Sequence, residues 1–226
     1  MPEKLCVKLT PDQHVTALVY PVASGDPIDV TMILGHGAGA DQNSDFMTRF
    51  ADGLAARGVS VVTFNFLYAQ QGRRVPDANK TLEACFRAVV AAVRQRKIGR
   101  GPLVIGGKSL GGRIASQTAA AGAGVEGLLF LGYPLHPPGR PDQLRAKHLQ
   151  AIKAPMLFVQ GSRDAFGTPD ELRPIIKELK VPADLYVVDG GDHSFKVLKR
   201  AGIAQEETYK AALDRIERWL RQTFTK

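Results

Sequence analysis

Leu103-Val-Ile-Gly-Gly-Lys-Ser-Leu-Gly-Gly-Arg-Ile-Ala115 changes character twice within thirteen residues. The apolar run Leu103-Val-Ile105 reads as a short buried strand, and the small-residue stretch after Gly112 reads as a helix reaching about Ala121. Between them, Gly107-Lys-Ser-Leu-Gly111 matches G-x-S-x-G. In that context the motif predicts a sharp strand-to-helix turn with Ser109 in a strained backbone conformation. Glycines two residues before and two after the serine relieve the crowding such a turn creates. The hydroxyl then stands at the carboxyl end of the strand, and the helix directs its positive end towards any anion formed there. A plain glycine-rich turn is the alternative, since three fixed positions in five recur by chance; the flanking strand and helix favour the chemical reading. Gly107-Lys108-Ser109 is not a phosphate-binding loop, because the glycine required five residues before Gly107 is Pro102.

On either side, short apolar runs alternate with longer amphipathic ones, the pattern of a mostly parallel α/β sheet with helices on both faces. Leu5–Leu9 and Val15–Val22 predict an antiparallel hairpin. Strands are expected at Val30–Leu34, Val59–Phe64, Val125–Leu131, Met156–Gln160 and Asp184–Val188. Helices are expected from Ser44 or Asp45 to about Arg57, from about Asp77 to Arg96, over Pro169–Leu179, and from about Gln205 to Thr223. Arg73 and Arg74 fall in a polar loop. The proline-rich segment from Tyr133 to Leu149 is too short for a helical cap domain, so a site beside it is open or covered only by loops. No repeat or linker interrupts the chain, which predicts one domain over residues 1–226.

A serine nucleophile needs a base, and the base needs an orienting group. Asp164 directly follows the Met156–Gln160 strand, and His193 directly follows the Asp184–Val188 strand. Both therefore belong at the sheet edge that carries Ser109, in the order Ser, Asp, His. Of the other histidines, His14 and His148 read as surface residues, His136 as a possible pocket residue and His36 as a brace for its loop. Asp189 and Asp192 rival Asp164, but as sequence neighbours of His193 they more naturally brace its turn. His36-Gly-Ala-Gly39 follows the third strand, where glycines let a backbone N–H turn inwards. Ala38 and Leu110 N–H are the predicted oxyanion donors. Tyr68, Arg73, Arg74 and Arg140 are candidates to meet an anionic substrate, with ordinary surface positions the equal alternative.

The chain has 226 residues, 44% of them hydrophobic and 23% charged, as expected of a globular protein with a sizeable core. Its net charge of +8 is dispersed and accompanied by no nucleic-acid-binding motif; steering of anionic substrates is the expected consequence, not nucleic-acid binding. Cys6 and Cys85 show neither disulfide nor metal spacing and are predicted to be buried thiols. No signal-like leader and no membrane-spanning run is recognised, so a cytoplasmic protein without membrane attachment is expected.

Together, His36-Gly-Ala-Gly-Ala40, Gly106-Gly-Lys-Ser-Leu-Gly-Gly-Arg113, Gly132-Tyr-Pro-Leu-His-Pro-Pro-Gly139, Gly-Ser-Arg-Asp164 and Gly-Asp-His193-Ser-Phe resemble the α/β-hydrolase superfamily. They are most similar to a subfamily of bacterial hydrolase-like proteins related to an animal testis-expressed protein and to a domain in a histone-acetyltransferase-complex subunit. More distantly the chain resembles dienelactone hydrolases, from which Ser109 departs because those use a cysteine. The resemblance implies the α/β-hydrolase fold without a large cap domain and a Ser109–His193–Asp164 triad. It leaves the substrate open. The combined expectation is a serine hydrolase of a small-molecule ester, thioester or related acyl bond, needing no cofactor or metal, as a monomer or homodimer. A non-catalytic interaction module on the same scaffold and a small peptidase are the alternatives.

Overall fold

The computed structural model describes residues 2–23, 26–99, 101–198, 202 and 204–225. β1 (Glu3–Lys8) and β2 (His14–Tyr20) form the expected hairpin, with Leu5 opposite Ala17 and Val7 opposite Val15. β2 then pairs antiparallel with β4 (Ser60–Phe64). The remaining strands are parallel: β3 (Thr31–Gly35), β5 (Leu103–Lys108), β6 (Gly127–Leu131), β7 (Met156–Gly161) and β8 (Ala183–Val188). Their order across the single eight-stranded sheet is β1-β2-β4-β3-β5-β6-β7-β8.

Strand periodicity divides the core into two layers. Ile33, Ile105, Leu128, Phe130, Met156 and Phe158 face one side of the sheet, packed with α3 (Asn79–Gln95) and α4 (Leu110–Ala120). Met32, Leu34, Val104, Leu129, Leu131, Leu157 and Val159 face the other, packed with α1 (Asp45–Ala55) and α6 (Gln205–Phe224). Because both faces are covered, these strands are apolar at consecutive positions, not alternating ones. α5 (Pro169–Lys177) begins in a capping box: Thr168 Oγ1 accepts from Glu171 N–H, and Glu171 returns a carboxylate to Thr168 N–H.

Two short elements escape the sequence pattern. α2 (Leu67–Gln70) lies inside the segment read as a loop, and a 3₁₀ turn covers Lys147–Ala151. No cap domain follows β6; the chain runs through Tyr133–Ala146 without a helix and enters β7 after that turn. Three expectations are corrected. Cys6 is exposed, because β1 turns Leu5 and Val7 inwards and leaves Cys6 on the outer face. His148 is half-buried against α4 rather than on the surface. Tyr68 is fully buried and presents no surface to a substrate. Cys85 is buried as expected, and burial pushes its thiol up to about 12.

Candidate active site

Ser109 caps the amino end of α4 with φ 50° and ψ −112°, a left-handed conformation that a residue with a side chain rarely adopts. Close packing enforces it. A Cβ built on Gly107 would lie 2.1 Å from the Gly35 carbonyl oxygen, and one on Gly111 would lie 2.0 Å from the same oxygen. The turn therefore sits directly on β3, at a separation only glycine permits. Ser109 N–H donates to the Leu131 carbonyl at 3.1 Å, fixing the serine against the end of β6.

The structure brings Ser109, His193 and Asp164 together. His193 Nε2 lies 2.8 Å from Ser109 Oγ, and His193 Nδ1 lies 2.7 Å from Asp164 Oδ2. A carboxylate only accepts, so Nδ1 carries the proton and Nε2 is left to accept from the serine hydroxyl. Asp164 is 1% exposed. Its Oδ1 accepts from Phe166 N–H and its Oδ2 also accepts from Gln160 Nε2, both at 2.8 Å. The Phe166 ring stacks on the imidazole with centroids 4.2 Å apart. The rival carboxylates do brace turns: Asp192 accepts from Ser194 and Lys196 N–H, and Asp189 accepts from Gly190 N–H.

Beside the serine, Ala38 is exposed on the loop after β3, and Leu110 opens α4, where the first N–H has no intrahelical acceptor. Among the described residues neither N–H has a hydrogen-bond acceptor. His36 shapes the loop from beneath. Its Nδ1 donates to the Gly37 carbonyl at 2.9 Å, and its Nε2 accepts from Phe66 N–H at 3.1 Å. Those two bonds need the neutral ring, and burial lowers its pKa accordingly. Tyr68 donates a second, longer bond to the Gly37 carbonyl, which is thereby turned into the protein.

Two residues with no assigned role in the sequence pattern complete the arrangement. Gln160, fully buried at the end of β7, accepts from Tyr133 N–H at 2.8 Å. Its amide also donates to the Gly167 carbonyl at 2.7 Å, besides Asp164. Lys108, only 8% exposed, donates its ammonium to the backbone carbonyl of His193. The signal for both was a polar side chain inside an apolar strand run, which has to find partners.

A second Ser–His pair, Ser116 with His148 at 2.7 Å, has a different character. Ser116 is buried inside α4 and donates its hydroxyl to the Arg113 carbonyl, so it accepts from the histidine. No carboxylate contacts His148 among the described residues, and burial pushes it down to about 4. His136 is anchored by the Pro137 carbonyl and Glu171. Arg73 is tied to Gln71 and Asp77, while Arg74 and Arg140 are exposed. A groove of about 460 Å³ between Gly39, Asp41, Ser44, Arg73 and Arg74 continues from the oxyanion loop. A cavity of about 570 Å³ lies at the amino ends of β3 and β5, lined by Thr31 and Leu103, at the far edge of the sheet. Among the described residues no group of His, Cys, Asp and Glu side chains is arranged to hold a metal, and no helix is long and apolar enough to cross a membrane.

A mostly parallel eight-stranded sheet covered on both faces, with a serine at a strand-to-helix turn, is the α/β-hydrolase fold. The chain belongs to the alpha/beta hydrolase domain family, whose model matches residues 28–221. Similar solved structures share the architecture at low identity. A serine hydrolase without a lid from Xanthomonas campestris is 23% identical over 96% of this chain and 94% of its own, with a TM-score of 0.74. An alpha-beta serine hydrolase homologue from Coxiella burnetii is 20% identical over 97% and 96%, with a TM-score of 0.71. A dienelactone hydrolase from Anabaena variabilis is 15% identical over 99% of each chain, with a TM-score of 0.72.

Proposed function

We propose that the protein is a serine hydrolase that cleaves a carboxylic ester, thioester or related acyl bond through an acyl-enzyme intermediate. The observation that carries this is the unbroken hydrogen-bonded line from Ser109 Oγ through the imidazole of His193 to buried Asp164. In the first step His193 Nε2 takes the hydroxyl proton as Oγ attacks the acyl carbon, and the carbonyl oxygen becomes an oxyanion. Ala38 and Leu110 N–H receive that oxyanion, an effect worth roughly 10²–10³ in rate per donor. Collapse expels the alcohol or thiol, which leaves with the proton from His193. Water then repeats the sequence on the acyl-serine, releasing the acid and restoring the hydroxyl. Asp164 holds the productive tautomer throughout.

The absence of a cap between β6 and β7 favours small acyl substrates admitted from solvent over long chains held in a tunnel. The test is labelling with a fluorophosphonate, beside a panel of esters and thioesters of graded acyl length. Wild type is expected to label and turn over, with Ser109→Ala folded but inert to both, a loss of at least about 10³-fold. Full esterase activity in Ser109→Ala, or a folded wild type that never labels, would overturn the assignment.

A further inference from the structure

Lys108 occupies the variable position directly before the serine, where the motif itself asks for nothing. Its side chain instead crosses the floor of the site. Near its root, Cγ lies 3.5 Å from where a Cβ on Gly37 would stand, so it passes under the oxyanion loop. Further out, Nζ lies 5.4 Å from the centroid of the Phe46 ring on α1. At its tip the ammonium bonds to the His193 carbonyl. A Cβ on Gly132 would stand 3.0 Å from Lys108 Nζ and 3.3 Å from His193 Nδ1, which puts the two nitrogens within about 6 Å of each other. Gly132 adopts φ 67°, and any side chain there would intrude between them.

We infer that Lys108 is a positioning residue whose buried ammonium tethers the His193 loop through the backbone carbonyl and so holds the imidazole in line with Ser109. This inference rests on the Ser109–His193 chemistry proposed above. Burying a cation opposes folding, and here burial pushes the ammonium down to about 8 against the pull of Asp164 and Asp192. A lysine serving stability alone has better places to be. What it does locally is specific: its ammonium is bonded to the backbone carbonyl of the residue that carries the base. The other titratable groups around the pair are Asp192 on the same loop, neutral His36 beneath the oxyanion loop, and Tyr209 on α6. The Tyr209 hydroxyl donates to the Ser194 carbonyl.

The test measures fluorophosphonate labelling rate, and kcat and KM on an ester that the wild type turns over, for wild type, Lys108→Met, Lys108→Arg and Lys108→Gln, with thermal melting of each. Lys108→Met is expected to melt no lower than wild type, to label about tenfold more slowly and to lose kcat by a similar factor with KM unchanged, the pattern of a displaced base and not of a lost binding contact. Lys108→Arg, which keeps a cationic donor, should restore most of the rate, and Lys108→Gln, a donor without charge, should show a smaller loss than Lys108→Met. A Lys108→Met protein with wild-type labelling rate and kcat overturns the inference while leaving the hydrolase proposal intact. Failure of both Lys108→Met and Lys108→Gln to fold overturns it too, by making the lysine structural. Only a wild type that does not label removes the underlying chemistry as well.

Discussion

Replacing Gln160 by leucine isolates the least visible part of the site. The amide is fully buried; its oxygen accepts from Tyr133 N–H, and its nitrogen donates to Gly167 carbonyl and Asp164 Oδ2, with a longer contact to the Tyr133 carbonyl. Leucine matches the volume but supplies no partner, stranding one backbone donor and one backbone acceptor in the interior. Each stranded group costs about 1–3 kcal/mol. After allowing about 1 kcal/mol for the more apolar side chain, Gln160→Leu should lose roughly 1–5 kcal/mol. In a chain of this size the middle of that range is a fall of about 10 °C in melting temperature. Activity should fall less. Asp164 keeps Phe166 N–H and His193 Nδ1, so a roughly tenfold loss in kcat with KM unchanged is expected. Gln160→Glu separates the two functions, since it preserves the acceptor for Tyr133 N–H but sets a second carboxylate 2.8 Å from Asp164 Oδ2. Two such groups share one proton and cannot both ionise, so the glutamate variant should lose more activity than the leucine variant. Urea midpoints and acyl-ester turnover measure both effects. If both variants stayed within about 0.5 kcal/mol and twofold of wild type, against the roughly 1 kcal/mol minimum above, Gln160 would not be the link described.

Two other predictions test the scaffold. Gly111→Ala drives a methyl group to 2.0 Å from the Gly35 carbonyl oxygen and 2.9 Å from Gly35 Cα, both backbone atoms. The loss should exceed the usual overpacking range and reach at least about 3 kcal/mol by denaturant midpoint; a loss under about 1 kcal/mol would mean that α4 does not sit on β3 so closely. His36 and His148 are both held neutral, with pKa values lowered by burial. The unfolded chain takes up their protons below about pH 6.5, so stability is greatest above that value and declines as pH falls through it. Urea midpoints should drop between pH 7 and 5, and His148→Gln, which keeps a donor for Ser116, should remove about 1 kcal/mol of that drop once the partial solvent contact of His148 is discounted. An unchanged slope in His148→Gln would exclude its contribution.

The sheet and its covering helices were legible because the central parallel strands carry apolar runs and the long helices an apolar stripe. The order Ser109, Asp164, His193, after β5, β7 and β8, was legible for the same reason. Features that depend on contacts across the fold were harder to read. Period-two alternation in Lys4-Leu-Cys-Val-Lys8 would have placed Cys6 outside, had the run been read as an edge strand with one wet face. Nothing local marks Leu67–Gln70 as helical; its single turn is held from outside, by Asp77 accepting from Tyr68 N–H. His148 lies among charged residues in sequence, yet the fold turns it onto α4. Lys108 and Gln160 stood in plain view, but their partners lie in the loops that follow β6, β7 and β8.

Those partners matter because the parallel ladder does not stop where the strands do. Ser109 N–H bonds to Leu131 carbonyl, Gly132 N–H to Val159 carbonyl, and Ser162 N–H to Val188 carbonyl. The register of β5 through β8 thus extends into the loops that hold the candidate site. It fixes the serine relative to β6, and the Asp164 loop relative to β8. Yet adjacent strands are about 4.8 Å apart, so His193, three strands away from Ser109, begins about 14 Å from its target. The sheet alone cannot close that gap. The loop after β8 has to fold back, which it does through the turn braced by Asp192 and the left-handed residue Phe195, φ 63°. A turn of that kind has no ladder to hold it. Contacts from outside the turn hold it instead, among them Asp164 on the ring, Phe166 against its face, Gln205 on the Phe195 carbonyl, the Tyr209 hydroxyl on the Ser194 carbonyl, and the Lys108 ammonium on the His193 carbonyl. Of these, Lys108 alone comes from the strand that leads into the nucleophile, so its contact is the one that joins the strand of the serine directly to the loop of the base.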